Sequence, residues 1–151
     1  MPHSPVARPG APNLTIGRPA TVVRAGTTVT RWSPDANGTL LNIGTERVGR
    51  RTVLSVAGEL DISNAADLRM AIENAASGAR EIWLDLSATT FMDSSGLHAM
   101  AEARARVTQA NLRLALICPE GPVLRVLALA GFDRSFEIHA SRSAANHATL
   151  A

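Results

Sequence analysis

Lysine is absent from the 151 residues; all 15 basic side chains are arginine. That absence excludes Schiff-base chemistry and any phosphate loop that depends on a lysine. Cysteine is limited to Cys118, so neither an internal disulfide nor a multi-cysteine zinc site can form. A reducing compartment is the simplest reading. Aromatics are few (Trp32, Trp83, Phe91, Phe132 and Phe136), which leaves Leu, Ile, Val and Ala to build the core. His3, His98, His139 and His147 show no metal-ligand spacing, and no metal or cofactor is expected. No run reaches the length of a membrane-spanning helix. Met1–Arg18 lacks the apolar stretch, about 7–15 residues long, of a secretory signal. The expectation is a cytoplasmic protein without membrane contact.

What is present suits one domain with flanking segments. The apolar fraction is 46% and the charged fraction 19%, a globular balance. A chain this long buries roughly two thirds of its unfolded surface on folding, so it needs no metal or disulfide. The net charge of +2 is unevenly spread: residues 1–38 carry +3, residues 39–140 carry −2, and Arg142 adds the rest. An acidic centre is a poor electrostatic match for nucleic acid. Six of the eight prolines fall within residues 1–34, which marks 1–38 as a flexible N-terminal extension. Within it only Ala20–Trp32 has strand character, suited to an edge strand. Residues 39–140 form the expected domain and 141–151 a short C-terminal tail.

Inside that domain the periodicity alternates. Leu40–Val48 and Thr52–Ala57 read as strands around a turn at Gly49. After GELD (58–61), Asp61 or Ser63 is placed to cap a helix. The apolar stripe of that helix is Leu68, Ala71, Ile72 and Ala75; Gly78 ends it. Glu81–Leu86 is a short strand. A second helix spans about Ser94–Thr108. Leu112–Cys118 is a buried strand, and Pro119 and Pro122 open a third helix, which Gly131 stops. Ser135–Ala140 closes with a strand. The order β-β-α-β-α-β-α-β implies βα crossovers and an α/β fold: a mixed sheet of four to five strands covered by helices mainly on one face.

The chemistry concentrates in DLSATTFMDSSGLHAM (85–100). Leu86 ends a strand, a loop follows, and Asp93 is a good N-cap for the next helix. Ser94 and Ser95 then occupy its first turn. Gly96 is a poor helix former, by about 1 kcal/mol against Ala, so close approach is expected to matter there. A first-turn serine stands near free N–H groups and the positive end of the helix dipole. A phosphate is tolerated in that position, yet it adds about −1.5 to −2 charges against any docked partner.

These residues resemble the STAS-domain anti-sigma factor antagonists of the SpoIIAA/RsbV-like group. GELD (58–61) looks like the family's strand-to-helix motif, and LDLSATTFMDSSGL (84–97) looks like its phosphorylation-site motif. Asp85 precedes that motif at the usual distance, and Gly131-Phe132 matches the break after the third helix. The resemblance covers about residues 39–140. It implies a non-enzymatic switch with Ser94 as the phosphorylated serine. The implied docking surface comprises Glu59, Asp61, Asp93, Ser95, Gly96 and Leu97. The implied partners are an anti-sigma factor serine kinase, which would hold the Mg-ATP, and a phosphatase. A monomer or weak dimer is expected.

Two other readings stand beside it. One is a STAS interaction subunit of a larger sensory or transport assembly, without a used phosphosite. The other is a serine hydrolase in which His98, four residues on, serves Ser94 as base. Against the latter, Met92 stands where a nucleophile elbow needs glycine. Cys118 reads as a small buried hydrophobe, and Arg104 and Arg106 as solvated helix-face charges.

Overall fold

The structure, a computed structural model, describes residues 19–24, 27–32 and 41–150. One sheet carries seven strands in chain order: β1 (Pro19–Arg24), β2 (Thr27–Trp32), β3 (Leu41–Val48), β4 (Arg51–Leu60), β5 (Glu81–Met92), β6 (Arg113–Ile117) and β7 (Glu137–His139). Strands β1 to β4 pair antiparallel; β4 to β7 pair parallel. Parallel neighbours need crossovers. These are α1 (Ala65–Ala76), α2 (Ser94–Gln109), and α3 (Pro122–Leu129) with the short α4 (Phe132–Ser135).

Alternation along the strands sorts side chains to two faces. Ile43, Leu54, Val56, Ile82, Leu84, Leu86 and Leu116 pack against Leu68, Ile72, Met100, Val107 and Leu127 from the crossover helices. That is the main core, and each fully buried Leu or Ile contributes about 1.5–3 kcal/mol. Cys118 joins it, as expected of a small hydrophobe. The opposite face buries Val53, Trp83, Ala115 and Ile117 under Ala145.

The five strands β3–β7 and their one-sided helical cover match the expected architecture. Three boundaries differ. Within the expected flexible extension, β1 and β2 form a hairpin, and Val29–Arg31 of β2 pair with Gly44–Glu46 of β3; the remaining residues up to 40 lie outside the described ones. The expected tail is α5 (Arg142–Leu150), held because Arg142 and Ala145 find partners on the second sheet face. The expected loop after Leu86 is strand. β5 continues to Met92, with register irregularities opposite Ser55–Ala57 and Gly58–Glu59. There Thr89 Oγ1 donates to Val56 O at 2.7 Å and Thr90 Oγ1 to Gly58 O at 3.2 Å. The two hydroxyls occupy carbonyls beside the irregular register, which lets the strand continue where its regular pairing is interrupted.

Candidate functional site at the start of helix α2

The irregular β5 brings Leu60 into register with Met92. The turns that follow these two strands therefore lie side by side, at the carboxyl ends of parallel strands, where open α/β sheets place their sites. The Asp93 N–H donates to Leu60 O at 3.2 Å and ties the turns together. Gly96 faces the same junction: a Cβ there would stand 2.7 Å from Met92 Cγ and 3.1 Å from Leu60 Cγ and Cδ2. The expected close approach is present.

Asp93 is the N-cap of α2, with Oδ1 accepting from the N–H groups of Ser95 (2.8 Å) and Gly96 (3.1 Å). The Leu97 N–H donates to Asp93 O at 3.0 Å. Two of the free donors of the first turn, those of Ser95 and Gly96, are thus already taken, and the Leu97 N–H makes the first regular i→i−4 bond of the helix. Ser94 is exposed.

On the neighbouring turn the expected caps are corrected. Asn64, not Asp61 or Ser63, is the N-cap residue of α1. Buried Asn64 accepts from the Asp61 N–H and donates to Glu59 O, both at 2.9 Å, locking the turn to the strand end. Asp61 turns its carboxylate on Ser63, accepting from its N–H (2.9 Å) and its hydroxyl (2.6 Å). Glu59 and Asp61 are half-buried.

The residues expected to dock a partner therefore divide. Glu59, Asp61, Asp93 and Ser95 are partly accessible around exposed Ser94. Gly96 is buried and Leu97 packs against the main core, so both belong to the floor, because helical periodicity turns them toward the sheet. Two apolar side chains stand out instead: Ile62 is 81% exposed and Phe91 47%. Ile62 lines an open groove between α1 and α2 together with Ala65, Arg69, Ser94, Ser95 and His98. No periodicity marks a lone exposed Ile in a turn, so only the structure finds it.

His98 Nε2 lies 3.6 Å from Glu102 Oε1, and Glu102 Oε1 also accepts from Arg69 at 3.1 Å. The imidazole is thus turned to a carboxylate. Asp85, the acid of the motif, lies on the other sheet face. It accepts from Arg142 Nε at 2.6 Å and from the Ser87 N–H at 2.9 Å. Burial alone would raise its pKa. The hydrogen bonds from Ser87 and the Arg142 guanidinium outweigh burial and hold it below the ordinary carboxylate range. It anchors α5 and takes no part in the surface around Ser94. Among the described residues no cluster of His, Cys, Asp and Glu is arranged to hold a metal, and no helix is long and apolar enough to cross a membrane.

The STAS domain family model matches residues 42–145. The chain belongs to the STAS domain family. The anti-sigma-F factor antagonist RsfB of Mycobacterium tuberculosis is 32% identical over 87 residues, covering 57% of this chain and 70% of RsfB. A STAS-domain containing protein of Pseudomonas aeruginosa is 28% identical over 90 residues, 60% of this chain and 89% of that protein. Among solved structures, an anti-sigma factor antagonist from Mycobacterium paratuberculosis superposes with a TM-score of 0.67 at 24% identity, covering 74% of this chain and 95% of that one. Unphosphorylated SpoIIAA gives 0.60 at 22%, covering 72% and 97%. At these identities the two structures speak for the fold. Antagonist members of the STAS family are regulators rather than enzymes, which sets the hydrolase reading aside.

Proposed function

We infer that this STAS domain is an anti-sigma factor antagonist. It docks an anti-sigma factor serine kinase on the surface formed by the β4–α1 turn and the start of α2, and phosphorylation of Ser94 by that kinase releases it. The observation that carries this reading is the placement of Ser94: exposed, in the first turn of a capped helix, beside an apolar side chain presented to solvent. RsfB, an anti-sigma-F factor antagonist by name, supports the same reading. Glu59, Asp61, Asp93 and Ser95 supply the polar rim and Ile62 the apolar contact. A phosphate adds about −1.5 to −2 charges to a rim that already holds three carboxylates, so the docked state suffers more than the free one.

The test is incubation with candidate anti-sigma factor kinases and ATP, then mass spectrometry of the peptide holding Ser94. Binding is measured in parallel. Ser94→Ala should bind the cognate kinase persistently, and Ser94→Asp at least tenfold more weakly, about 1.4 kcal/mol. Equal affinity for wild type and Ser94→Asp refutes the switch.

A further inference from the structure

An added phosphate on Ser94 meets a helix mouth that its own cap partly fills. Asp93 holds the N–H groups of Ser95 and Gly96 with its carboxylate and that of Leu97 with its carbonyl. A dianion there cannot displace these bonds without giving up the cap, so its counter-charge must come from side chains. The groove that contains Ser94 offers one permanent cation, Arg69 from α1, and beside it the imidazole of His98 from α2. Both are now held by one carboxylate oxygen, Glu102 Oε1, at 3.1 and 3.6 Å. Ser94, His98 and Glu102 follow at i, i+4 and i+8 on one stripe of α2, so each step is about one turn, roughly 6 Å. The Arg69 side chain is 36% and that of Glu102 40% exposed, so their pairing is a surface ion pair of small net worth. A guanidinium binds phosphate bidentately and more strongly than it holds a solvated carboxylate.

We propose that Arg69 is a phosphoserine latch: once Ser94 carries a phosphate, Arg69 leaves Glu102, swings toward the start of α2, about two turns from its present partner, and pairs with the phosphoryl oxygens. The ligand is the chain's own phosphorylated side chain. The latch turns the phosphate down along the groove between α1 and α2, over the surface where Ile62 stands, so the modified state is held closed as well as charged. It also places the phosphate under a cation that a phosphatase must displace. His98, on the same stripe, lies on the path between the two positions of Arg69. The titratable and charged groups around the phosphate are Asp93 on its own turn, Glu59 and Asp61 on the neighbouring turn, Arg69 on α1, and His98 and Glu102 along α2.

This inference rests on Ser94 being the modified residue, but its test does not need the kinase. Phosphoserine is installed at position 94 by genetic encoding in the full chain, and the phosphate is titrated by 31P NMR. In the wild type its second pKa should lie about 0.5–1 below that in Arg69→Gln, since a neighbouring guanidinium favours the dianion. Glu102→Gln, which frees Arg69 from its present partner, should lower it further. Phosphatase treatment should remove the phosphate several-fold faster from the Arg69→Gln protein. Coincident titrations of wild type and Arg69→Gln overturn the latch, even where a kinase does modify Ser94. Conversely, a kinase that ignores Ser94 overturns the switch and leaves the titration result standing.

Discussion

Replacing Gly96 by alanine should weaken the fold, although alanine is the better helix former. Intrinsic propensity favours Gly96→Ala by about 1 kcal/mol in a helix interior, and by less in a first turn. The new Cβ meets Met92 Cγ at 2.7 Å and Leu60 Cγ and Cδ2 at 3.1 Å. Neither neighbour yields easily, because Leu60 is fully buried and Met92 nearly so. Crowding of this kind costs about 1–3 kcal/mol, so a net loss of about 1–2 kcal/mol is expected. Urea denaturation measures it as a lower midpoint at an unchanged slope. A double-mutant cycle isolates the cause. Met92→Ala alone should cost about 2–4 kcal/mol by opening a cavity, but it removes the atom nearest the new methyl. On that background Gly96→Ala should become neutral or stabilising, a coupling of about 1–2 kcal/mol. Additive losses, or a Gly96→Ala protein more stable than wild type, would show that the junction beneath Ser94 is not tightly packed.

Three further outcomes follow from the second sheet face and its surroundings. Arg142→Ala removes the guanidinium that donates to Asp85 Oδ2 (2.6 Å) and to Ser55 Oγ (2.8 Å). With Arg142 partly exposed and Asp85 keeping its bond from Ser87, the loss should be about 1–2 kcal/mol in urea. It should leave kinase binding at the opposite face unchanged. Asp85, whose folded pKa is depressed, stabilises the fold above its unfolded pKa of about 4. That contribution disappears as pH falls from about 4 through the lower folded value, and Asp85→Asn should make the acid limb of a pH–stability curve shallower. Cys118 has its thiol pushed up to about 11, by burial first and the Asp85 charge second. Iodoacetamide at pH 8 should therefore alkylate it only on unfolding, and fast labelling of the native protein contradicts the packing described.

How far the sequence reveals this molecule depends on whether the signal is local. The stripe Leu68, Ala71, Ile72 and Ala75 and the cap Asp93 announce themselves, because a helix face and a capping oxygen are set within a few residues. The charges on the second sheet face were equally visible as Glu81-x-x-x-Asp85 around Trp83, but their meaning was not. The run EIWLDL reads as one buried strand until Arg51, 3.7 Å from the Trp83 ring centroid, and Arg142, bonded to Asp85, supply partners from 32 and 57 positions away. For the same reason 141–151 reads as a tail: Arg142 and Ala145 find their partners on β3, β4, β5 and β6. The loop assigned after Leu86 failed differently, since Thr89 and Thr90 stabilise strand through carbonyls of β4 that no window on β5 contains. At the site, Ser94 and Asp93 were legible by motif. Arg69 was not, because its place beside Ser94 comes from packing α1 on α2.

The capped start of α2 also explains why a modification at Ser94 can be severe for a partner and mild for the host. Two charges in water about 6 Å apart interact by about 0.7 kcal/mol per unit pair, so a dianion beside the Asp93 carboxylate costs about 1.4 kcal/mol. An Arg69 guanidinium brought to the phosphate offsets much of that. A docked protein replaces the water over the same charges. At an effective dielectric near 20 the repulsion is about four times larger, and a partner seated on Ile62 would bar the guanidinium from swinging into place. The penalty thus falls on the complex rather than on the domain, and it follows from the geometry of one cap and one arginine without any rearrangement of the sheet. Arg69→Gln should accordingly leave the affinity of unmodified protein for its kinase near wild type, while lowering the thermal stability of the Ser94-phosphorylated form relative to the unmodified one. A stability gap between the two forms that is identical in wild type and Arg69→Gln would remove the arginine from this account.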